Sequence, residues 1–241
     1  MLNNKTLFIL LVLFCFNCKS NKEKEEQNTT YSDVVSISAM KDVMWKGELF
    51  SKIQLDTIKP KKGLYGIGPE AYLRGEILIN NGKTYVSRVL TDSTMTVEEI
   101  TDAKAPFFVY ANVNDWNTIE LPRSVKSIKD LETFIDNQTK EQKRPFAFKL
   151  EGSISKATIH IQNLPEGTKV SSPKEAHQGQ TNYQIENENV EIIGFFSTEH
   201  QGVFTHHDSF SHLHLITKNK KQMGHLDDVV FNEMSLLLPK S

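Results

Sequence analysis

Histidine carries the first chemical signal in this sequence. Eight histidines occur in 241 residues, at positions 160, 177, 200, 206, 207, 212, 214 and 225, and six of them fall between His200 and His225. An even spread would put about one in a window of that length. The tightest part is His212-Leu213-His214, with His225 following. On a strand, residues two apart project from the same face, roughly 6–7 Å apart. The imidazoles of His212 and His214 can therefore converge on one metal ion while Leu213 and Leu215 pack on the other side. Lys218-Asn219-Lys220-Lys221 reads as a turn, and Gly224 lets the backbone approach closely, so His225 can supply a third ligand from the next strand. Three imidazoles with a fourth position open describe a catalytic zinc site better than a closed structural one. Ligand type alone also admits Cu(II), Ni(II), Fe(II) or Mn(II). The same pattern also suits histidines that simply pack on a hairpin. His206-His207-Asp208 reads as a solvated polar loop, and His200 as a loop residue.

The elements that must position these residues are mostly strands. Apolar runs on either side of Asn80-Asn81-Gly82 form a strong hairpin signal over 76–86. Residues 106–113, 146–150, 156–161, 190–196, 210–217 and 234–238 read as further strands. Residues 63–69 are rich in glycine and read as a turn or loop. Amphipathic spacing predicts helices over 42–53 and 127–143, the second stopping before Pro145. The expected fold is α+β, strand-rich, in two parts divided near Pro145: an N-terminal α+β domain over 31–145 and a C-terminal β-rich domain over 146–241 that carries the metal site.

Composition narrows the function classes. Lys+Arg (28) nearly balance Asp+Glu (30), which argues against a nucleic-acid partner. Two cysteines, Cys15 and Cys18, are too few for a disulfide scaffold or a cysteine-rich zinc fold. The chain opens with Lys5 and a short apolar run from Leu7 to Phe16, half the length that spans a bilayer. This reads as a signal peptide over 1–17. It resembles a lipoprotein signal, in which Cys18 becomes the acylated first residue and the charged stretch up to residue 30 becomes a tether. The expectation is an exported cell-envelope lipoprotein that meets the membrane only through its lipid.

Longer stretches tie these pieces together. Residues Ile193-Gly194-Phe195-Phe196, Phe210-Ser211-His212-Leu213-His214-Leu215 and Met223-Gly224-His225 occur in an order and spacing that resemble the α-acetolactate decarboxylase family. Gly66-Ile67-Gly68, Leu73-Arg74-Gly75-Glu76 and Phe148-Lys149-Leu150-Glu151-Gly152 are similar to earlier segments of the same family, so the resemblance covers roughly 36–239. It implies the family's two-part fold, zinc held by His212, His214 and His225, and conversion of 2-acetolactate, a small 2-hydroxy-3-oxo acid, to acetoin and CO2. It further implies Glu76 as the acid/base group, Leu73 and Gly75 as substrate contacts, and a homodimer. Three family features differ. Pro69 stands where the family has threonine, and His160 aligns with a family arginine whose catalytic part it is expected to take over in part. The family's tail glutamate is expected to be absent, since two residues follow Pro239. A second function class follows from those differences: a zinc-binding homologue that has lost turnover and serves as a ligand- or partner-binding module at the cell envelope.

Overall fold

The computed structural model describes residues 33–240. The segments expected to be signal peptide and tether, with Cys18, lie outside the described residues. Along the chain run β1 (Val35–Ile37), α1 (Met40–Lys46), β2 (Ile53–Gln54), β3 (Leu64–Pro69), β4 (Glu76–Asn80), β5 (Lys83–Thr91), β6 (Thr94–Glu99), β7 (Lys104–Ala105), β8 (Phe108–Asn112) and β9 (Trp116–Glu120). They are followed by α2 (Ile128–Gln138), β10 (Phe146–Ile161), α3 (Pro173–Ala176), β11 (Thr181–Glu186), β12 (Asn189–Phe196), β13 (Ser211–Thr217) and β14 (Met223–Pro239). This is the strand-rich α+β architecture expected. No helix among the described residues is long and apolar enough to cross a membrane.

Two six-stranded sheets dominate, ordered β1-β8-β3-β4-β5-β6 and β11-β10-β12-β13-β14-β9. In the second, β10 also pairs with β14, which closes β10, β12, β13 and β14 into a ring. That sheet is not built only from residues after 145, because β9 forms its edge and the apolar side of α2 packs on its core. Ring closure places the hydrophobic alternate positions of the strands inside: Leu213 and Leu215 join Phe148, Ile154, Ile159, Leu226 and Phe231 in one core. The opposite positions face the first sheet. There Ile193, Phe195, Ile216 and Met223 share a second core with Tyr65, Ile67, Leu78 and Val109. The site lies in this seam between the sheets.

Local sequence explains most of the elements. Asn81 and Gly82 both adopt positive φ, 48° and 84°, the backbone of a tight hairpin turn between β4 and β5. Helix α2 begins with a capping box in which Ser127 and Asp130 bond each other's backbone N–H groups. It ends at Gln138, short of the expected residue 143. Helix α1 corrects the expectation over 42–53. It stops at Gly47, whose φ of 65° is left-handed, and a Cβ there would lie 2.5 Å from the Val170 carbonyl oxygen. Strand β3 corrects the loop expected over 63–69. Its glycines serve close packing, since Cβ atoms on Gly66 and Gly68 would come within 2.6 and 2.9 Å of the Phe108 ring.

The two strands expected within 146–161 are a single strand of 16 residues. Its first half pairs with β12 and its second with β11, while β14 runs along the other edge throughout. The changeover comes just after Gly152, between Ser153 and Lys156, and a Cβ on Gly152 would lie 2.1 Å from the Glu233 carbonyl oxygen. Gly152→Ala should therefore destabilise the protein by about 2–4 kcal/mol through clash and backbone strain, measured by denaturant unfolding against wild type.

Candidate metal centre

Register across three neighbouring strands assembles the histidines. His214 on β13 is paired with His225 on β14, and His225 is paired with His160 on β10. His212 lies two residues before His214 on the same face. Gly224 allows this approach, because a Cβ there would sit 2.5 Å from the His160 carbonyl oxygen. The ring of His212 lies 5.0 Å from those of His214 and His225, and the rings of His214 and His225 lie 5.4 Å apart. One nitrogen from each of the three falls within 4.8 Å of the others. All three residues are buried.

Glu76 reaches the cluster from the first sheet. It opens β4, and its alternate neighbours Leu78 and Asn80 face the second sheet as it does. Its Oε2 lies 3.7 Å from His214 Nε2, and its Oε1 accepts the Gln162 backbone N–H at 3.3 Å. The turn before it is braced: Glu70 N–H donates to the Gly75 carbonyl at 2.8 Å, and Arg88 grips the Glu70 carboxylate with two nitrogens. Within that turn Tyr72 and Leu73 hold left-handed φ values of 62° and 52°. Strain of this kind in two successive non-glycine residues persists only where the surroundings enforce it. Here Tyr72 N–H donates to the Leu49 carbonyl and the Leu73 carbonyl accepts from Leu164 N–H.

A small cavity of about 30 Å³ is lined by Glu76, His160, Gln162, His206, His212 and His225, with Pro69, Leu73, Phe107, Met40, Met44 and His177 completing it. Of the residues expected from sequence, the structure thus brings together His212, His214, His225, Glu76, His160 and Leu73. Gly75 does not line the cavity; it sits behind it, where a Cβ would lie 2.5 Å from the Ser87 carbonyl oxygen. His206, read as a solvated loop residue, is half-buried and packs edge-on against the His225 ring at 5.3 Å. A wider groove of about 630 Å³ along α2 shares His206 and His225 with the cavity.

Sequence reasoning missed Asp227, Gln162 and the Met40–Met44 face of α1. Asp227 and Gln162 each follow a noted histidine by two residues on a strand, so the period-two rule that paired His212 with His214 could have found both. Asp227 receives His160 Nδ1 at 2.8 and 2.9 Å on its two oxygens.

Electrostatics separates the groups. Burial, reinforced by neighbouring histidine charge, holds His212 and His225 well below the ordinary imidazole value, and burial with the charge of His160 pushes His214 down to about 3. All three are neutral at physiological pH, the state a metal requires. Burial pushes Glu76 up to about 7, against the charge of His160 and the Gln162 N–H. For His160, burial disfavours the charged form, but the hydrogen bond and charge of Asp227 outweigh it and raise its pKa.

The donor set fits a metal. His212 Nδ1 is buried without a hydrogen-bond partner, and the Ile77 backbone can satisfy one of the two buried nitrogens of His214, so each ring keeps one nitrogen whose cost a bound cation would relieve. His160, His225 and Asp227 form a second convergent group. In that group His160 and Asp227 already satisfy each other, so the orphaned nitrogens favour the three-histidine set.

Comparison with known proteins agrees over nearly the whole chain. A family model described as alpha-acetolactate decarboxylase matches residues 34–240. The alpha-acetolactate decarboxylase of Bacillus subtilis is 24% identical over 91% of this chain and 81% of its own, and that of Methanosarcina mazei is 27% identical over 69% of this chain and 56% of its own. The crystal structure of the Bacillus subtilis enzyme superposes with a TM-score of 0.72 at 23% identity, covering 86% of this chain and 85% of that one. A Staphylococcus aureus protein of unknown function, similar to the same enzyme, superposes with a TM-score of 0.73 at 18% identity, covering 86% and 85%.

Because the imidazoles are already neutral in the folded protein, protons compete weakly with a metal. From pH 6.5 to 5.0 the metal affinity should fall with a slope no steeper than about one proton per ion, contributed by Glu76. Imidazoles titrating at their ordinary value near 6.5 would give a slope approaching three. Competition titration against a chromophoric chelator distinguishes the two.

Proposed function

We propose that this chain, which belongs to the alpha-acetolactate decarboxylase family, is a zinc-dependent decarboxylase that converts 2-acetolactate to acetoin and CO2. The observation that carries this reading is a buried carboxyl, Glu76, raised to about 7 and set 3.7 Å from one of three buried, neutral imidazoles. His212, His214 and His225 would hold the ion. A zinc ion bound there supplies a Lewis acid against the negative charge that collects on the ketone oxygen as the carboxylate leaves.

The remaining work falls to the chain's own groups. Cleavage of the bond to the carboxylate releases CO2 and leaves its electron pair as an enediolate. A proton must then reach the carbon that carried the carboxylate. Glu76, a buried carboxyl facing the imidazoles, delivers that proton, then recovers one from solvent. The net reaction consumes one proton. His160, its Nδ1 held by Asp227, stands at the position of the family arginine and offers one imidazole nitrogen, 3.4 Å from Gln162 Nε2, in place of a two-pronged guanidinium. Leu73, Phe107, Met40 and Met44 provide the apolar wall that keeps water from the reacting carbon. The cavity of about 30 Å³ must widen toward the groove along α2 to admit the substrate.

The family resemblance supports a homodimer, and the amino-terminal sequence supports an exported lipoprotein anchored through Cys18. Cys18→Ser should abolish labelling by a palmitate analogue and shift the protein from the membrane fraction to the soluble one; retention in the membrane fraction would overturn the anchor.

Residues 28–241, loaded with zinc and given racemic acetolactate, should release acetoin. His212→Ala should lose both bound metal and activity. Glu76→Gln should keep the metal and lose about 10²–10⁴-fold in kcat. Bound zinc without acetoin from the wild-type chain would instead assign the protein to the second class, a cell-envelope binding module, which the exchange of arginine for His160 and of threonine for Pro69 favours.

A further inference from the structure

Gln162 is polar, 4% exposed, and lines the cavity beside Glu76 and His160. Its Nε2 donates to Gln180 Oε1 at 3.2 Å, and Gln180 Nε2 donates in turn to Asn182 Oδ1 at 3.0 Å. Nε2 also lies 3.4 Å from His160 Nε2. His160 donates from Nδ1 to Asp227, so its Nε2 accepts from the same Gln162 amide N–H group, which orients the side chain and leaves Oε1 buried with no hydrogen-bond partner. An amide carbonyl in such a place calls for a donor.

The substrate class offers one. In an ionised 2-hydroxy-3-oxo acid the carboxylate and the ketone only accept hydrogen bonds, and the 2-hydroxyl is the single donor. We propose that Gln162 Oε1 accepts the hydrogen bond of the substrate's 2-hydroxyl and thereby selects 2-hydroxy acids over their deoxy counterparts. The inference rests on the decarboxylase reading for the identity of the substrate. It also accounts for orientation. The hydroxyl sits on the carbon that loses CO2 and takes up the proton. The Gln162 backbone N–H already rests on Glu76 Oε1 at 3.3 Å, so a hydroxyl held by the side chain of Gln162 sets that carbon next to the proton donor. Gln162 makes and breaks no bond; it binds and orients.

The test compares 2-acetolactate with 2-methyl-3-oxobutanoate, which lacks the hydroxyl, on the zinc-loaded chain. Rates are corrected for spontaneous decarboxylation. Wild type should prefer the hydroxy acid, and Gln162→Met, at unchanged zinc stoichiometry, should shrink the ratio of the two kcat/KM values at least tenfold. If the two substrates lose rate together, or if the ratio is unchanged, the inference is overturned. A second measurement needs no turnover: calorimetric binding of 2,3-dihydroxy-2-methylbutanoate against 3-hydroxy-2-methylbutanoate. Wild type should bind the first at least tenfold more tightly, and Gln162→Met should remove the difference. Absence of any wild-type preference overturns the inference even if the variant does not fold. Preference in binding without acetoin would sustain the inference and sink the decarboxylase reading. Acetoin without preference would do the reverse.

Discussion

Three neutral imidazoles and one carboxyl, all withdrawn from water in the seam between two sheets, form the constraint around which the rest of the structure is arranged. Each unpaired buried polar group costs roughly 1–3 kcal/mol. His212 and His214 each carry one such nitrogen. That cost is tolerable because each ligand sits on a strand whose other face is core. Leu213 and Leu215, interleaved with the histidines, are buried among Phe148, Ile154 and Leu226, and so fix the twist and register that aim the imidazoles outward at the first sheet. Ring closure of β10 on β14 then sets His160 opposite His225. Glycine at 224 keeps that crossing close, and glycine at 152 lets β10 lie against the Glu233 carbonyl of β14.

The same burial that keeps the histidines neutral raises the Glu76 carboxyl to about 7, so one environment moves the two kinds of group in opposite directions. A metal ion needs neutral nitrogen ligands, and a proton donor working at neutral pH needs a carboxyl that is not fully ionised. One dry pocket provides both without any separate device. His160 is the exception within it: Asp227 supplies enough hydrogen bonding and charge to overcome burial. The pair thus holds an imidazole, tied to a carboxylate, at a position where the family resemblance leads one to expect arginine.

Much of this was legible in the sequence, and the limits of legibility have physical causes. The triad could be read because its information is local: a period of two on one strand, a turn, a glycine, a third histidine. The β4–β5 hairpin was legible for the same reason. Strand β3 was misread because glycine breaks strands by propensity, whereas here Gly66 and Gly68 make room for the Phe108 ring from a neighbouring strand. Helix α1 was drawn too long because its apolar spacing continues past Gly47, while the backbone turns there against Val170. Glu76 facing His214 is a contact between two sheets, which no local pattern encodes; the family resemblance supplied it. Gln162 and Asp227 were within reach of the period-two rule, but neither residue type announces itself as histidine does.

The most direct test of the account is the position of the metal itself. Anomalous diffraction from crystals of the zinc-loaded protein should place a single ion within about 2.0–2.1 Å of one nitrogen from each of His212, His214 and His225, with the Glu76 carboxyl beside it. An ion bound instead by His160 and Asp227, or no ordered ion in the seam at all, would contradict the account.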